Sequence, residues 1–313
     1  MNIVVQGCGA MGSVYAALFC SAGHSVWVMS RNRDHMTAIE RSGLRVSGAS
    51  GDRIVTPTVV EDIPNTPIDL LIMAVKAGAV ADAAAKSAGA MERISRVVTI
   101  QNGLGSADTV ADVLGRDNLA VGIAQGFGAS LISPGHVHHN DMKAIRLGTY
   151  GALPHASIEE LATLWRQVGF DTDAVQDILT AQWEKLICNV AYSAACALTG
   201  LTVGEAMQDR ALAPVTRDAA IEAYDVARAL DIPLSFGDPV AYVRAFAERM
   251  PDAKPSVLLD IESGKPTEVD VINGSIPKQA ARVNLSAPVN ATLTRLVQAM
   301  ENNRCKKENE VTR

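Results

Sequence analysis

The hexapeptide Gly7-Cys8-Gly9-Ala10-Met11-Gly12 constrains this chain more than any other segment. It follows the short apolar run Ile3-Val4-Val5 and opens a small-residue stretch, Ala10 to Ala22, that reads as a helix. A second apolar run, Val26-Trp27-Val28-Met29, comes next, so the order is strand, glycine turn, helix, strand. In such a unit Gly7 permits the tight turn, Gly9 leaves room for a pyrophosphate to approach the backbone, and Gly12 lets the helix pack on the strand. The helix N-terminus offers phosphate its unpaired N–H groups and the positive end of its dipole. The whole hexapeptide, Cys8, Ala10 and Met11 included, is the expected seat of a dinucleotide. The alternative is an ordinary glycine turn in another kind of sheet protein.

The residues after the second run choose between dinucleotides. A carboxylate there binds the ribose 2′-OH of NAD, whereas its absence, with positive charge, suits NADP. This chain has Ser30-Arg31-Asn32-Arg33 and no acid before Asp34. Arg31 can pair bidentately with a 2′-phosphate, so NADP(H) is the expected cofactor; a solvated arginine loop is the alternative. Two further residues follow later strands of the same expected sheet, where ligands gather at carboxyl ends. Lys76 follows the run from Leu70 to Val75 and either neutralises phosphate or is a surface lysine. Asn102 follows Val97 to Gln101 and either holds a nicotinamide ribose or substrate oxygen, or is a turn residue of an Asn-Gly pair.

Strand and helix signals alternate as far as about residue 175, which implies an α/β, Rossmann-type doubly wound sheet. Within it, 136–149 has period-two character and reads as antiparallel edge strands. From 177 the pattern becomes helical, over 178–200, 203–208, 210–230, 238–249, 255–263, 268–283 and 287–303, punctuated by prolines. Expected domains are therefore 1–176, binding the cofactor, and an all-α substrate domain 177–313 with 304–313 as a frayed polar tail. A chain of 313 residues, 48% apolar, can bury two cores.

With 28 basic and 34 acidic residues, net −6, there is no global basic field for nucleic acid. The five cysteines are odd in number and form no CxxC pair, which fits a reducing cytoplasm better than a disulfide framework. The N-terminus reads as a first strand rather than a signal peptide. Residues 186–204 carry no charge, yet Asn189, Tyr192, Ser193, Thr199 and Thr202 mark them as a buried helix rather than a membrane span. His136, His138 and His139 have neither a nearby cysteine nor a paired acid beyond Asp141, and no metal site is expected.

Several segments together resemble the ketopantoate reductase (2-dehydropantoate 2-reductase) family over nearly the whole chain. They are GCGAMG at 7–12, Arg31, Ala74-Val75-Lys76, QNGLG at 101–105, WEKLICNVA at 183–191, SVLLDI at 256–261, TEVDVING at 267–274 and SAPVNATL at 286–293. The resemblance implies a Rossmann domain, a helical domain and an active site in the cleft between them. It implies NADPH-dependent reduction of a 2-keto acid to a D-2-hydroxy acid, in pantothenate and coenzyme A synthesis if the substrate is ketopantoate. It makes Lys185 the catalytic lysine, Asn189 and Ser256 substrate-binding residues, and Glu268 the acid at the cofactor–substrate junction. Asn102 matches the asparagine touching both ligands, and Gly128 falls near a backbone contact to the cofactor. Ser193 stands where the family usually carries a second pocket asparagine, and Ala253 where another often precedes the pocket serine. Both changes remove amides that would grip a polar substrate, so another branched or aromatic 2-keto acid is the alternative substrate. A non-catalytic NADP-binding sensor is the alternative function, against which Lys185, Asn189 and Glu268 speak. Helical second domains in such enzymes often supply a homodimer surface.

The residues themselves allow this chemistry. Hydride delivery to a ketone develops negative charge on its oxygen, which needs a cation or proton donor beside it. Lys185, Asn189 and Ser193 lie at i, i+4 and i+8 and share one helix face, presenting an ammonium, an amide and a hydroxyl to a single ligand. Lys185 would polarise the carbonyl and give up the proton, and desolvation should lower its pKa. Its alternative is an exposed lysine paired with Glu184. Glu268 either pairs with Lys185, binds substrate and nicotinamide ribose, or is a helix N-terminal acid after Thr267. Ser256 either contacts substrate or starts a helix after Pro255.

Overall fold

The computed structural model describes residues 1–126, 128–141 and 144–311. It divides into two compact units. The first comprises Met1–Gln101 and Ser106–Ile178, and the second Asn102–Gly105 and Leu179–Arg313.

The first unit runs β1 (Asn2–Gln6), α1 (Ala10–Ser21), β2 (Ser25–Met29), α2 (Arg33–Ser42), β3 (Leu44–Gly48), β4 (Arg53–Val55), β5 (Thr58–Val59), β6 (Leu70–Met73), α3 (Val80–Ala88), β7 (Val97–Thr99), α4 (Ser106–Leu114), β8 (Leu119–Gln125), β9 (Gly128–Ser133), β10 (His136–Asp141), β11 (Ala144–Thr149), α5 (His155–Gln167) and β12 (Thr172–Ala174). An eight-stranded sheet has the order β12-β11-β8-β7-β6-β1-β2-β5. Its ladders are parallel except where β11 meets β8. Alternating side chains of one strand enter different cores, as in a sheet covered on both faces. Leu70 and Ile72 join one cluster with Ile3, Val5 and α1, whereas Leu71 and Met73 join another with Val4 and α3. That is why β6 is an unbroken apolar run. On the α1 side Tyr15, Phe19, Trp165 and Phe170 pack ring against ring at centroid distances of 5.1–6.3 Å.

The strand order reverses at β1. Its neighbours are β2, reached through α1, and β6, reached from the opposite direction. This is the topological switch point at which open α/β sheets bind ligands.

The expectation of antiparallel edge strands over 136–149 needs correction. β11 does pair antiparallel, with β8, but inside the large sheet. β10 belongs to a separate four-stranded sheet, β4-β3-β10-β9, where it is interior rather than at an edge, pairing antiparallel with β9 and parallel with β3. Val46 of β3 and Val137 of β10 are paired and fully buried, which brings together segments about ninety residues apart. Met142 and Lys143 lie outside the described residues.

The second unit contains the helices α6 (Ile178–Thr199), α7 (Val203–Gln208), α8 (Leu212–Ala229), α9 (Pro239–Arg249), α10 (Ser256–Glu262), α11 (Ser275–Arg282) and α12 (Pro288–Val311). α6 starts on the last residue of the first unit, and no strand occurs among the described residues beyond it. Its core is built on α6, whose Trp183, Leu186, Ile187, Val190, Ala191 and Ala194 are buried with Ala-rich faces of α8 and with α11. Helix starts follow local chemistry: Thr202 and Glu205 form a capping box on α7, and Asp238 caps α9 ahead of Pro239. Two expected boundaries change. The helix placed at 268–283 begins at Ser275 after a run of turns, and the last helix continues to Val311 instead of stopping at 303. Thr312 and Arg313 of the expected tail lie outside the described residues. No described helix is long and apolar enough to cross a membrane.

Candidate functional site

In the first unit the chain turns sharply at Gly7, with φ +104°. A Cβ there would lie 2.4 Å from the amide nitrogen of Val75 and 2.5 Å from the carbonyl carbon of Ala74, so only glycine fits against the end of β6. The amides of Gly7 and Cys8 both donate to the Met29 carbonyl, each at 2.9 Å, which ties the turn to the end of β2. A Cβ on Gly12 would come within 2.2 Å of the Gly7 carbonyl oxygen, so α1 sits directly on the turn. Gly9 differs: a Cβ there meets nothing within 4 Å. Gly9 is the N-cap of α1 and supplies no side-chain cap, and Ala10, Met11 and Gly12 form the first turn. An uncapped helix N-terminus opening onto free space is a fitting cradle for a pyrophosphate.

The other first-unit residues singled out from sequence surround strand ends. Arg31 is exposed between β2 and α2, where Asn32 caps α2 and the first acid, Asp34, lies inside its first turn. Lys76 is exposed beyond β6 at the start of a short 3-10 turn. Gly128 opens β9 in the smaller sheet, opposite Asp141. His136 and His138 face one way on β10, and both reach the Ser47 hydroxyl, at 2.9 and 3.2 Å.

A buried polar chain behind the glycine turn carried no sequence signal. The Gly135 amide donates to Nδ1 of His35 (2.9 Å), which leaves the proton on Nε2 to donate to Ser13 Oγ (3.0 Å), itself 3.4 Å from the Cys8 thiol. Burial lowers the His35 pKa and pushes the Cys8 thiol up to about 12, so both are neutral scaffold groups. The pairs are separated by 22 and 100 residues, and no local pattern announces them.

The second unit assembles a lysine site. Lys185, half-buried on α6, donates from Nζ to Oδ1 of Asn102 at 2.7 Å. Asn102 in turn donates from Nδ2 to Oε2 of Glu268 at 3.2 Å. The lysine thereby fixes which way the amide points. Glu184, the partner weighed from sequence, instead accepts from the Ser235 amide at 2.8 Å. Burial lowers the Lys185 pKa from 10.5 to about 8, with the Glu268 carboxylate acting in the opposite direction. The expected direction of that shift is thus present.

The loop carrying Asn102 is pinned to the segment carrying Glu268. The Leu104 amide donates to the Val271 carbonyl at 3.0 Å. Gly103, at φ +77°, lies so close that a Cβ would be 2.0 Å from that oxygen. The glycine of the Asn-Gly pair therefore serves backbone contact as well as turning. Glu268 sits ahead of the turns 269–274, not at the start of a helix, and its carbonyl accepts from the Val271 and Ile272 amides. Asn189 and Ser193 continue the Lys185 face of α6, the first half-buried and the second buried. Ser256 is the exposed first residue of α10, after Pro255. Direct hydrogen bonds thus join Lys185, Asn102 and Glu268, which are 83 and 166 residues apart in pairs. Among the described residues no group of three or more His, Cys, Asp or Glu side chains could hold a metal ion.

A doubly wound sheet with a glycine turn at its switch point, and a helical unit holding a lysine against an amide and a carboxylate, define a Rossmann-type two-unit protein. The family model for ketopantoate reductase PanE/ApbA matches residues 3–152, and that for its C-terminal part matches residues 177–301. The chain belongs to the ketopantoate reductase family. A 2-dehydropantoate 2-reductase of Pyrococcus horikoshii is 30% identical over 301 residues, 96% of this chain and 98% of that protein. The crystal structure of a PanE/ApbA family ketopantoate reductase from Ralstonia eutropha superposes with a TM-score of 0.84 at 29% identity, over 97% of this chain and 99% of that one. D-mandelate dehydrogenase, in a ternary structure with NADH and anilino(oxo)acetate, shares the fold with a TM-score of 0.90 at 22% identity, over 97% and 99% of the two chains.

Proposed function

We propose that this protein reduces ketopantoate, or a closely related 2-keto acid, to the D-2-hydroxy acid with NADPH. The observation that carries the reading is the short contact between a desolvated lysine and Asn102, with Glu268 behind the amide. The name borne by relatives at 30% identity supports ketopantoate as the substrate.

The chain's residues fit a reduced dinucleotide. The first turn of α1, from Gly9 through Ala10, Met11 and Gly12, would receive the pyrophosphate at N–H groups, with Gly7 and Cys8 setting the turn, while Lys76 would add positive charge for the phosphates and Gly128 a backbone contact. Arg31 takes the 2′-phosphate, and no carboxylate precedes Asp34 to repel it. When bound, the cofactor supplies the hydride that the keto carbon receives. As that carbon accepts the electron pair, the carbonyl π pair moves onto oxygen. Lys185 polarises that oxygen beforehand and then gives it the Nζ proton, leaving a neutral amine and a hydroxyl. A lysine pKa of about 8 suits this, because the ammonium is populated near neutral pH yet releases its proton readily. Asn102 and Glu268 hold the ammonium in place and touch substrate and nicotinamide ribose. Asn189, Ser193 and Ser256 bind the substrate's carboxylate and side chain. The protein works in the cytoplasm, consistent with its free Cys8, Cys20, Cys188 and Cys196.

The test is to mix purified protein with NADPH, and separately NADH, against a panel of 2-keto acids. Oxidation of NADPH with ketopantoate or a branched or aromatic relative is expected, with the D product. Tight NADPH binding without turnover on any ketone would point instead to a sensor.

A further inference from the structure

Three separate segments must stay aligned for the Lys185 site to exist: α6, the loop Asn102–Gly105, and 268–274. The loop is fastened to 268–274 through Val271. Beyond the apolar packing of Val269 and Ile272 in the core they share with α6, the buried side chain of Asn273, fully enclosed in the helical unit, hydrogen-bonds 268–274 to α6. Its amide group donates to the Val190 carbonyl of α6 at 2.8 Å and to Oδ1 of Asn290 at 2.9 Å. Val190 is the residue after Asn189 and lies just over one turn from Lys185.

The far side of this link is equally tied. Asn290 donates from Nδ2 to the Ala219 carbonyl of α8 at 2.9 Å and to Glu222 at 2.8 Å. The Glu222 carboxylate accepts from the amides of Val289 and Asn290, in the first turn of α12, at 2.8 and 2.9 Å. Asn273 therefore couples α6 to a knot of α8 and α12, while its own backbone continues from the turns that start at Glu268.

The chemistry of Asn273 points to its donor role. Its carbonyl oxygen accepts no hydrogen bond from the described residues, so burying this amide leaves an acceptor uncompensated by the chain. An apolar residue would avoid that cost but could not satisfy Val190 and Asn290 together. We propose that Asn273 is a positioning residue for the reduction, holding the Glu268 segment and the Asn102 loop in register with the Lys185 face of α6. It touches none of the reacting groups and acts through α6. The inference rests on the proton-donor reading of Lys185.

Releasing Asn273 frees α6 to shift relative to 268–274, admitting water to the ammonium and lengthening its contact with Asn102. Glu268 is the charged side chain acting on Lys185. Hydration of Nζ restores its pKa towards 10.5, so the alkaline limb of kcat should move upward.

The test compares Asn273→Ala and Asn273→Asp with Glu222→Gln, which loosens the same knot at its α8–α12 end but leaves the Val190 bond. For both Asn273 variants kcat should fall about tenfold or more, with an alkaline limb raised by about half a pH unit or more and the dissociation constant for NADPH unchanged within about twofold. Glu222→Gln should lower Tm and leave the limb in place. If Asn273→Ala does not accumulate as folded protein, Asn273→Ser carries the measurement. The inference is overturned by wild-type kcat in the Asn273 variants, by loss of kcat with an unmoved limb, or by the same limb shift in Glu222→Gln. Lys185→Ala, run alongside, separates the two levels. Normal turnover in Lys185→Ala sinks the lysine reading itself, whereas an inactive Lys185→Ala beside a normal Asn273→Ala sinks only this one.

Discussion

At the Gly7 turn the groups offered to a ligand are backbone amides, and the residues that matter are those without side chains. In the helical unit the groups offered are side chains, Lys185, Asn102 and Glu268, brought from three places in the chain. The first arrangement needs a local path: strand, turn and helix within about twenty residues create it, and the Met29 carbonyl and β6 hold it. The second needs a fold, because its members meet only after α6, the turns 269–274 and the loop Asn102–Gly105 have packed. A backbone site tolerates exchange of neighbouring side chains but no added Cβ. A side-chain site tolerates local backbone variety but no change of functional group.

Mutations at the two places should therefore fail differently. Lys185→Ala should lower kcat by roughly a thousandfold, the range expected for removing a general acid, with NADPH affinity retained. Steady-state rates and a binding titration on the same sample check both halves, and parallel loss of binding would blur the contrast. Gly9→Ala should do the reverse. Open space receives the methyl in the free protein, so Tm should hold, while the methyl occupies the pyrophosphate approach and weakens NADPH by about ten- to a hundredfold. A fall in Tm with normal binding would show that the space at Gly9 is not for a ligand. Smaller still, Arg31→Ala should raise KM for NADPH by about tenfold and leave KM for NADH nearly untouched, because a charge-assisted bond to the 2′-phosphate is lost. Equal effects on both cofactors would remove the NADP assignment.

The same contrast explains what could be read in the sequence. The glycine turn, the first strands and the doubly wound pattern were legible because each is written in contiguous residues. β6 could be recognised by its unbroken apolar run, which the two flanking cores demand. The four-stranded sheet was not legible, because β3 and β10 pair in parallel across about ninety residues and neither carries a local sign of its partner. The helix expected from residue 268 starts at Ser275, since the carbonyl of Glu268 and the amides after it form turns braced against Leu104 and, through Asn273, against Val190. For the lysine site, α6 periodicity put Lys185, Asn189 and Ser193 on one face. What sequence could not decide was whether Asn102 is a turn residue or a partner: Gly103 turns at φ +77° against Val271, where no Cβ fits, while Asn102 accepts from Lys185, so the Asn-Gly pair does both. The hydrogen-bonded link of Cys8 to Ser13 and His35 remained invisible because a buried polar chain leaves no pattern in exposed or periodic positions.

The pH dependence of kcat for keto-acid reduction, measured at saturating NADPH and substrate, is the most direct trial of Lys185 as the proton donor. Its desolvated ammonium must be protonated to act, so kcat should be level near neutrality and fall as pH rises through about 8. A rate that stays flat up to the ordinary lysine range, or one that climbs through the same interval, would contradict the assignment.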